Sequence, residues 1–269
     1  MRRTLLVLAV GCLLALEHPR AAPPPGEYAP PPAEVSPDER MQGLAKSDPL
    51  AFLDECLARY RREVEGYSAT LFKQERLKGK LRDPEVIRVW FKEKPFSVRM
   101  DWDKGEALAS RTVYVEGENN GKMLVKPSSW RTLFVSVAER DPEEQDAKDS
   151  ARYPITKFGI QVGTESTKAY WTRAKDKGEL RVVFDGLVAV PELDGRKCWK
   201  LRRLEYARPE VDGIMRGTFY FDPATWLQVG TVLHAKNGDL IGRYFFKDVK
   251  LNPEFPPDTF TRAGLLKPK

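Results

Sequence analysis

From residue 66 to the end of the chain, apolar side chains return at every second position in short runs cut apart by turn signals. Phe96, Val98, Met100 and Trp102 alternate with Ser97, Arg99 and Asp101, the pattern of a strand with one face buried and one wet. The same period marks Ile87-Val89-Phe91, Val113-Val115, Leu133-Val135-Val137, Leu180-Val182-Phe184, Trp199-Leu201, Phe219-Phe221, Leu227-Val229 and the long run Leu240 to Leu251. Hairpin signals stand between them: Asn120-Gly121, Asp194-Gly195, Asp222-Pro223 and Asn237-Gly238. About nine or ten strands joined by tight turns make an antiparallel sheet with one apolar face.

Two helical stretches interrupt the period-2 pattern. Asp48-Pro49 starts a helix with Leu50, Leu53, Leu57, Tyr60 and Val64 at helical spacing, and Gly66 ends it. Thr156 caps a second, running to about Lys177, with Phe158, Val162, Ala169 and Tyr170 on one side and Gly178 at its end. These helices are the available cover for the apolar face. The expected class is therefore α+β, mainly β.

The N-terminus sets the compartment. Met1-Arg2-Arg3 followed by the apolar run Thr4 to Leu16 reads as an export signal, too short to span a bilayer. Two processing routes stay open. Ala9-Val10-Gly11-Cys12 resembles a loose lipobox that would acylate Cys12, whereas Ala21-Ala22 suits ordinary cleavage. Eight prolines between residues 19 and 37 make a stiff spacer. The expected division is a signal over 1–22, a Pro-rich disordered spacer over 23–45 and one domain over 46–269, exported to the periplasm or cell envelope. Association with the membrane would be peripheral or through a lipid on Cys12, and the folded part is expected to be a monomer.

Several chemistries lack their residues. The chain has two histidines, and His18 falls in the leader, so His234 is the one imidazole of the fold. No Cys/His/carboxylate cluster has metal-ligand spacing, and no cofactor motif occurs. Gly117 to Lys122 lacks the spacing and the Ser/Thr of a phosphate loop. The net charge of +6 is spread without a basic block, which argues against nucleic acid. Cys56 and Cys198 read as buried small hydrophobes, with a disulfide as the alternative. No catalytic motif is present; paired carboxylates, which leave no sequence signature, stay open as a hydrolase reading.

The candidate site is the apolar face itself. Val98, Met100, Trp102, Leu201, Phe219, Phe221, Tyr244 and Phe246 share one parity and would line a concave surface, provided no bulge reverses a strand. Ordinary core packing explains such residues equally well. Arg88, Arg99, Arg202, Arg216 and Arg243 take the opposite parity, that of a solvated outer face.

Six segments carry a family likeness: Gly66 to Arg76 (GYSATLFKQER), Lys94 to Trp102 (KPFSVRMDW), Val113 to Gly117, Asn120 to Met123, Arg152 to Ile160 (RYPITKFGI) and Tyr244 to Asn252 (YFFKDVKLN). Together they resemble domain-of-unknown-function family 1571 (DUF1571), exported bacterial proteins similar in turn to the LolA-like lipoprotein carriers. The resemblance implies a strongly curved half-barrel with helices on its concave face. It also implies a lipid, acylated protein or other apolar ligand there. A structural or protein-interaction module of the envelope is the alternative, and the family supplies no catalytic residue.

Overall fold

The computed structural model describes residues 36–105, 109–128, 136–206 and 213–268. Two helices come first, α1 (Pro37–Ser47) and α2 (Pro49–Glu63), and then the strands β1 (Gly66–Leu77), β2 (Lys80–Leu81), β3 (Glu85–Lys92), β4 (Ser97–Lys104), β5 (Ala109–Val115), β6 (Met123–Pro127) and β7 (Ala138–Arg140). A short helix α3 (Gln145–Ser150) and a longer α4 (Ile160–Asp176) separate these from β8 (Val182–Val190), β9 (Arg196–Arg203), β10 (Arg216–Phe221), β11 (Gln228–His234) and β12 (Leu240–Leu251). A last short helix, α5 (Arg262–Leu266), ends the described chain.

The strands form one curved, unclosed antiparallel sheet in the order β7-β6-β5-β4-β3-β1-β12-β11-β10-β9-β8, with β2 paired to β1. The first strand therefore pairs with the last. β1 and β12 are the two longest, and they join two meanders that run outward to opposite edges. Hairpin turns form where the dipeptides placed them, with Asn120 and Asp194 in the left-handed conformation.

Two sequence expectations need correction here. The spacer does not reach residue 45, because α1 begins at Pro37. Ser36 and Glu39 cap each other reciprocally, and Pro37 stands at the first helical position, where its missing N–H costs nothing. Met41 and Ala45 then turn inward one helical turn apart.

Second, α4 starts at Ile160 rather than Thr156, and its buried face is Ile160, Thr164, Thr167, Trp171 and Ala174. The threonines disguise that face. Each hydroxyl bonds a carbonyl four residues back (Thr164 to Ile160 at 2.9 Å, Thr167 to Gly163 at 2.9 Å), which lets the methyl groups be buried. Gly159 precedes the helix at φ 136°, a conformation closed to a side chain.

The strand expected over Leu133-Val135-Val137 falls mostly on residues the structure does not describe. Leu133 and Val135 lie outside the described residues, and the edge strand is Ala138–Arg140. The leader, Cys12 and the prolines before residue 36 lie outside them as well.

Among the described residues no helix is long and apolar enough to cross a membrane. Cys56 and Cys198 are free and buried in separate clusters. Burial pushes the Cys198 thiol up to about 11 and the Cys56 thiol further, so neither is a reactive thiolate.

Candidate functional site

Cross-strand register decides which side chains share a face, because directly opposed residues point the same way. One row runs Tyr67-Phe91-Val98-Tyr114 across β1, β3, β4 and β5. The next runs Val89-Met100-Thr112-Val125, ending on β6, and a third runs Phe246-Leu71-Ile87-Trp102. On the other side of β12 the same face carries Tyr244-Thr231-Phe219-Leu201. Phe221 opposes Trp199. All eight candidate residues thus share the face that receives the helices.

They do not share one environment. Leu201, Phe219 and Phe221 are buried in a cluster with Phe52, Leu53 and Trp171 of the helices. Phe52 meets the ring of Phe221 edge-on at 4.9 Å and that of Trp199 at 6.0 Å, while Trp171 meets Phe219 at 5.4 Å. These side chains are core. Val98 is likewise fully buried. Met100, Trp102, Tyr244 and Phe246 are half-buried.

A strap formed by residues 151–159 crosses the middle of the face. Phe158 packs between Phe91 (6.1 Å) and Phe246 (6.0 Å), and Tyr153 lies against Tyr244 at 6.5 Å. Ile160 N–H donates to the Tyr67 hydroxyl at 3.2 Å where the strap enters α4. Farther along the same face, Met100, Trp102, Tyr114, Met123 and Val125 of β4, β5 and β6 are half-buried among the described residues. This is the concave end.

A polar row lies beside it. Lys73 stands directly between Glu85 and Tyr244 across β1, β3 and β12. The Lys73 ammonium is 2.7 Å from Glu85 and 3.5 Å from Glu75. Tyr244 donates to Glu75 at 2.7 Å, the Arg152 backbone N–H donates to Glu75 at 3.3 Å, and the Trp102 indole donates to Glu85 at 3.0 Å. Burial alone would lower the Lys73 pKa, but the two carboxylates outweigh that cost and hold it above the ordinary lysine value. Burial, with the Glu75 charge adding to it, pushes the Tyr244 phenol well above its ordinary value.

Sequence reasoning missed this row. Lys73 and Glu75 hold the inward parity of β1, where apolar residues belong, and that break in alternation was the available signal. Tyr244 and Trp102 were counted as apolar lining, yet their polar ends bind the carboxylates.

The outer face differs from expectation at one arginine. Arg88, Arg202, Arg216 and Arg243 are at least partly exposed on it, whereas Arg99 is enclosed with Asp101 and Arg111 beneath the C-terminal segment. Gly264 permits that docking, since a Cβ there would sit 1.9 Å from the Asp258 carbonyl. A depression of about 390 Å³ lies beside the Leu193–Arg196 turn and Phe246–Asp248. It is rimmed by Asp194, Arg196, Lys247 and Asp248, and this charged rim suits an apolar ligand less well than the concave end. No metal-ligating cluster occurs among the described residues.

The family model described as "Protein of unknown function (DUF1571)" matches residues 64–264. No curated protein matches the sequence. Among solved structures, MucB superposes with a TM-score of 0.48 and 16% identity over 80% of this chain and 63% of MucB, so the chain spans less than two thirds of that protein. The Mycobacterium tuberculosis lipoprotein LppX gives 0.40 and 12% over 78% of this chain and 99% of its own. A LolA superfamily protein from Nitrosomonas europaea gives 0.32 and 9% over 78% and 98%.

Proposed function

Because the chain belongs to the DUF1571 family, described only as proteins of unknown function, its role is read from its geometry, and we propose that it binds a lipid, an acylated protein or another apolar molecule on the concave face of the sheet. The observation that carries this reading is the half-buried apolar set Met100, Trp102, Tyr114, Met123 and Val125, contributed by the three adjacent strands β4, β5 and β6, which among the described residues is not fully covered. Apolar groups left at a concave surface gain by covering one another or a ligand, at roughly 25 cal/mol per Å² removed from water. The basic and apolar N-terminal run supports reading this binding as an activity of the cell envelope, free or anchored through Cys12.

Hydrolysis by a carboxylate pair is less well supported. Glu75 and Glu85 flank one ammonium, and both oxygens of each accept hydrogen bonds or face it, so neither is poised as a free acid or base. A protein-interaction role is the second reading. It is favoured by β8, an edge strand whose Leu187 is 49% exposed.

The test is titration with N-phenyl-1-naphthylamine, a neutral apolar fluorophore. The wild type binds it, and Met100→Glu, which sets a charge among these side chains, weakens binding at least tenfold, about 1.4 kcal/mol. Unchanged affinity in the variant would remove the concave end as the site.

A further inference from the structure

Within the polar row, hydrogen-bond capacity is unevenly spent. Glu75 accepts from Tyr244 on one oxygen and from the Arg152 backbone on the other, which also faces Lys73. Glu85 accepts from Trp102 on one oxygen and pairs with Lys73 through the other. All four carboxylate oxygens are therefore engaged. Lys73 has three N–H donors and two carboxylate partners, so what the row has left to offer is a donor.

Position adds to this. Lys73 lies one row from Leu71, Ile87 and Trp102, and two from Met100 and Val125. Glu85 is the first residue of β3, so the polar row lies at one end of the apolar strip. The Lys73 side chain keeps 12% of its surface and that of Glu85 17%, enough to be touched from the concave side. Lys73, Glu75 and Glu85 together carry a net charge of −1, and the Arg152 guanidinium, which donates to the Arg76 carbonyl at 3.3 Å, also acts on Tyr244 through its charge.

Resting on the reading of the concave face as an apolar site, we propose that its ligand is an acyl ester or amide whose carbonyl oxygen takes the remaining Lys73 N–H. A neutral acceptor satisfies that donor without adding charge. A free fatty-acid carboxylate would bring a third carboxylate beside Glu75 and Glu85 in a partly desolvated place. The acyl chain then lies along the apolar rows, and the head group leaves at the β1–β3 end.

The test uses the full chain, with N-phenyl-1-naphthylamine displaced at pH 8 by monopalmitoylglycerol, palmitoylethanolamide or palmitate, each below its aggregation concentration. The ester and the amide are expected to displace the probe at concentrations at least tenfold lower than palmitate. Glu85→Gln, which removes one negative charge from the row, narrows that ratio to less than about threefold, with circular dichroism checking its fold. Equal displacement by palmitate, a ratio unmoved by Glu85→Gln, or probe that binds but yields to none of the three overturns the head-group assignment and leaves the apolar site standing. Failure of the wild type to bind the probe at all overturns both.

Discussion

Phe221→Ala unfolds about 3–5 kcal/mol more easily than the wild type, yet its affinity for N-phenyl-1-naphthylamine stays within about a factor of two. The ring is fully buried and meets Phe52 edge-on, so its loss removes transfer energy and leaves a cavity between sheet and helix that cannot collapse. For a domain of this size each kcal/mol moves the midpoint by about 2–4 °C, so a fall on the order of 10 °C is expected. Binding survives because β10 is five strands from β4 in the sheet, roughly 24 Å along it. Calorimetry and probe titration on one preparation check both halves. Lost affinity in a folded variant would mean that the helix-covered half of the face takes part in binding.

Asp101→Ala has a comparable effect through charge. The Asp101 carboxylate, with 3% of its side chain exposed, receives Arg99 through two bonds of 2.9 and 3.1 Å and lies 3.2 Å from Arg111. Without it, two enclosed guanidinium groups face each other unpaired, a change of about 3–5 kcal/mol. The damage reaches further than the pair. Arg99 also donates to the Thr259 carbonyl at 3.1 Å, and Arg111 donates to the Leu265 carbonyl at 2.8 Å and to that of Lys267. Those bonds hold α5 and Leu265 against Val113 and Leu124. Hydrogen exchange should accordingly rise first over residues 259–267. The triple change Arg99→Met, Asp101→Leu, Arg111→Met recovers only part of the stability: it leaves no charge uncompensated, but the Thr259, Leu265 and Lys267 carbonyls still lose their donors. Uniform protection across the C-terminal segment in Asp101→Ala would contradict the account.

How much of this was legible follows from what each residue type discloses. The parity of Val98, Met100, Trp102, Leu201, Phe219, Phe221, Tyr244 and Phe246 was readable because a ladder keeps period 2. The bulges fall where they do not reverse it: β10 is shifted against β11 at Tyr220/Phe221 yet stays in register with β9. What covers that face was not readable. Pro37 looked like one more spacer proline and is a helix start. Thr164 and Thr167, absent from the apolar side expected for α4, are buried because their hydroxyls are satisfied within the helix. The division of the face into core, strap-covered and open parts depends on contacts far apart in sequence, such as Arg152 with Glu75 and Phe158 with Phe246. For the same reason Arg99 and Asp101, which alternate as an outer face should, gave no sign of the C-terminal segment above them.

The central claim is that the concave end carries an apolar ligand, and native mass spectrometry of protein released gently from its host tests it most directly. The wild type should carry a lipid-sized adduct that is lost on collisional activation, and Met100→Glu from the same host should be bare. A wild type at its bare polypeptide mass, or an adduct equally abundant on Met100→Glu, would contradict it.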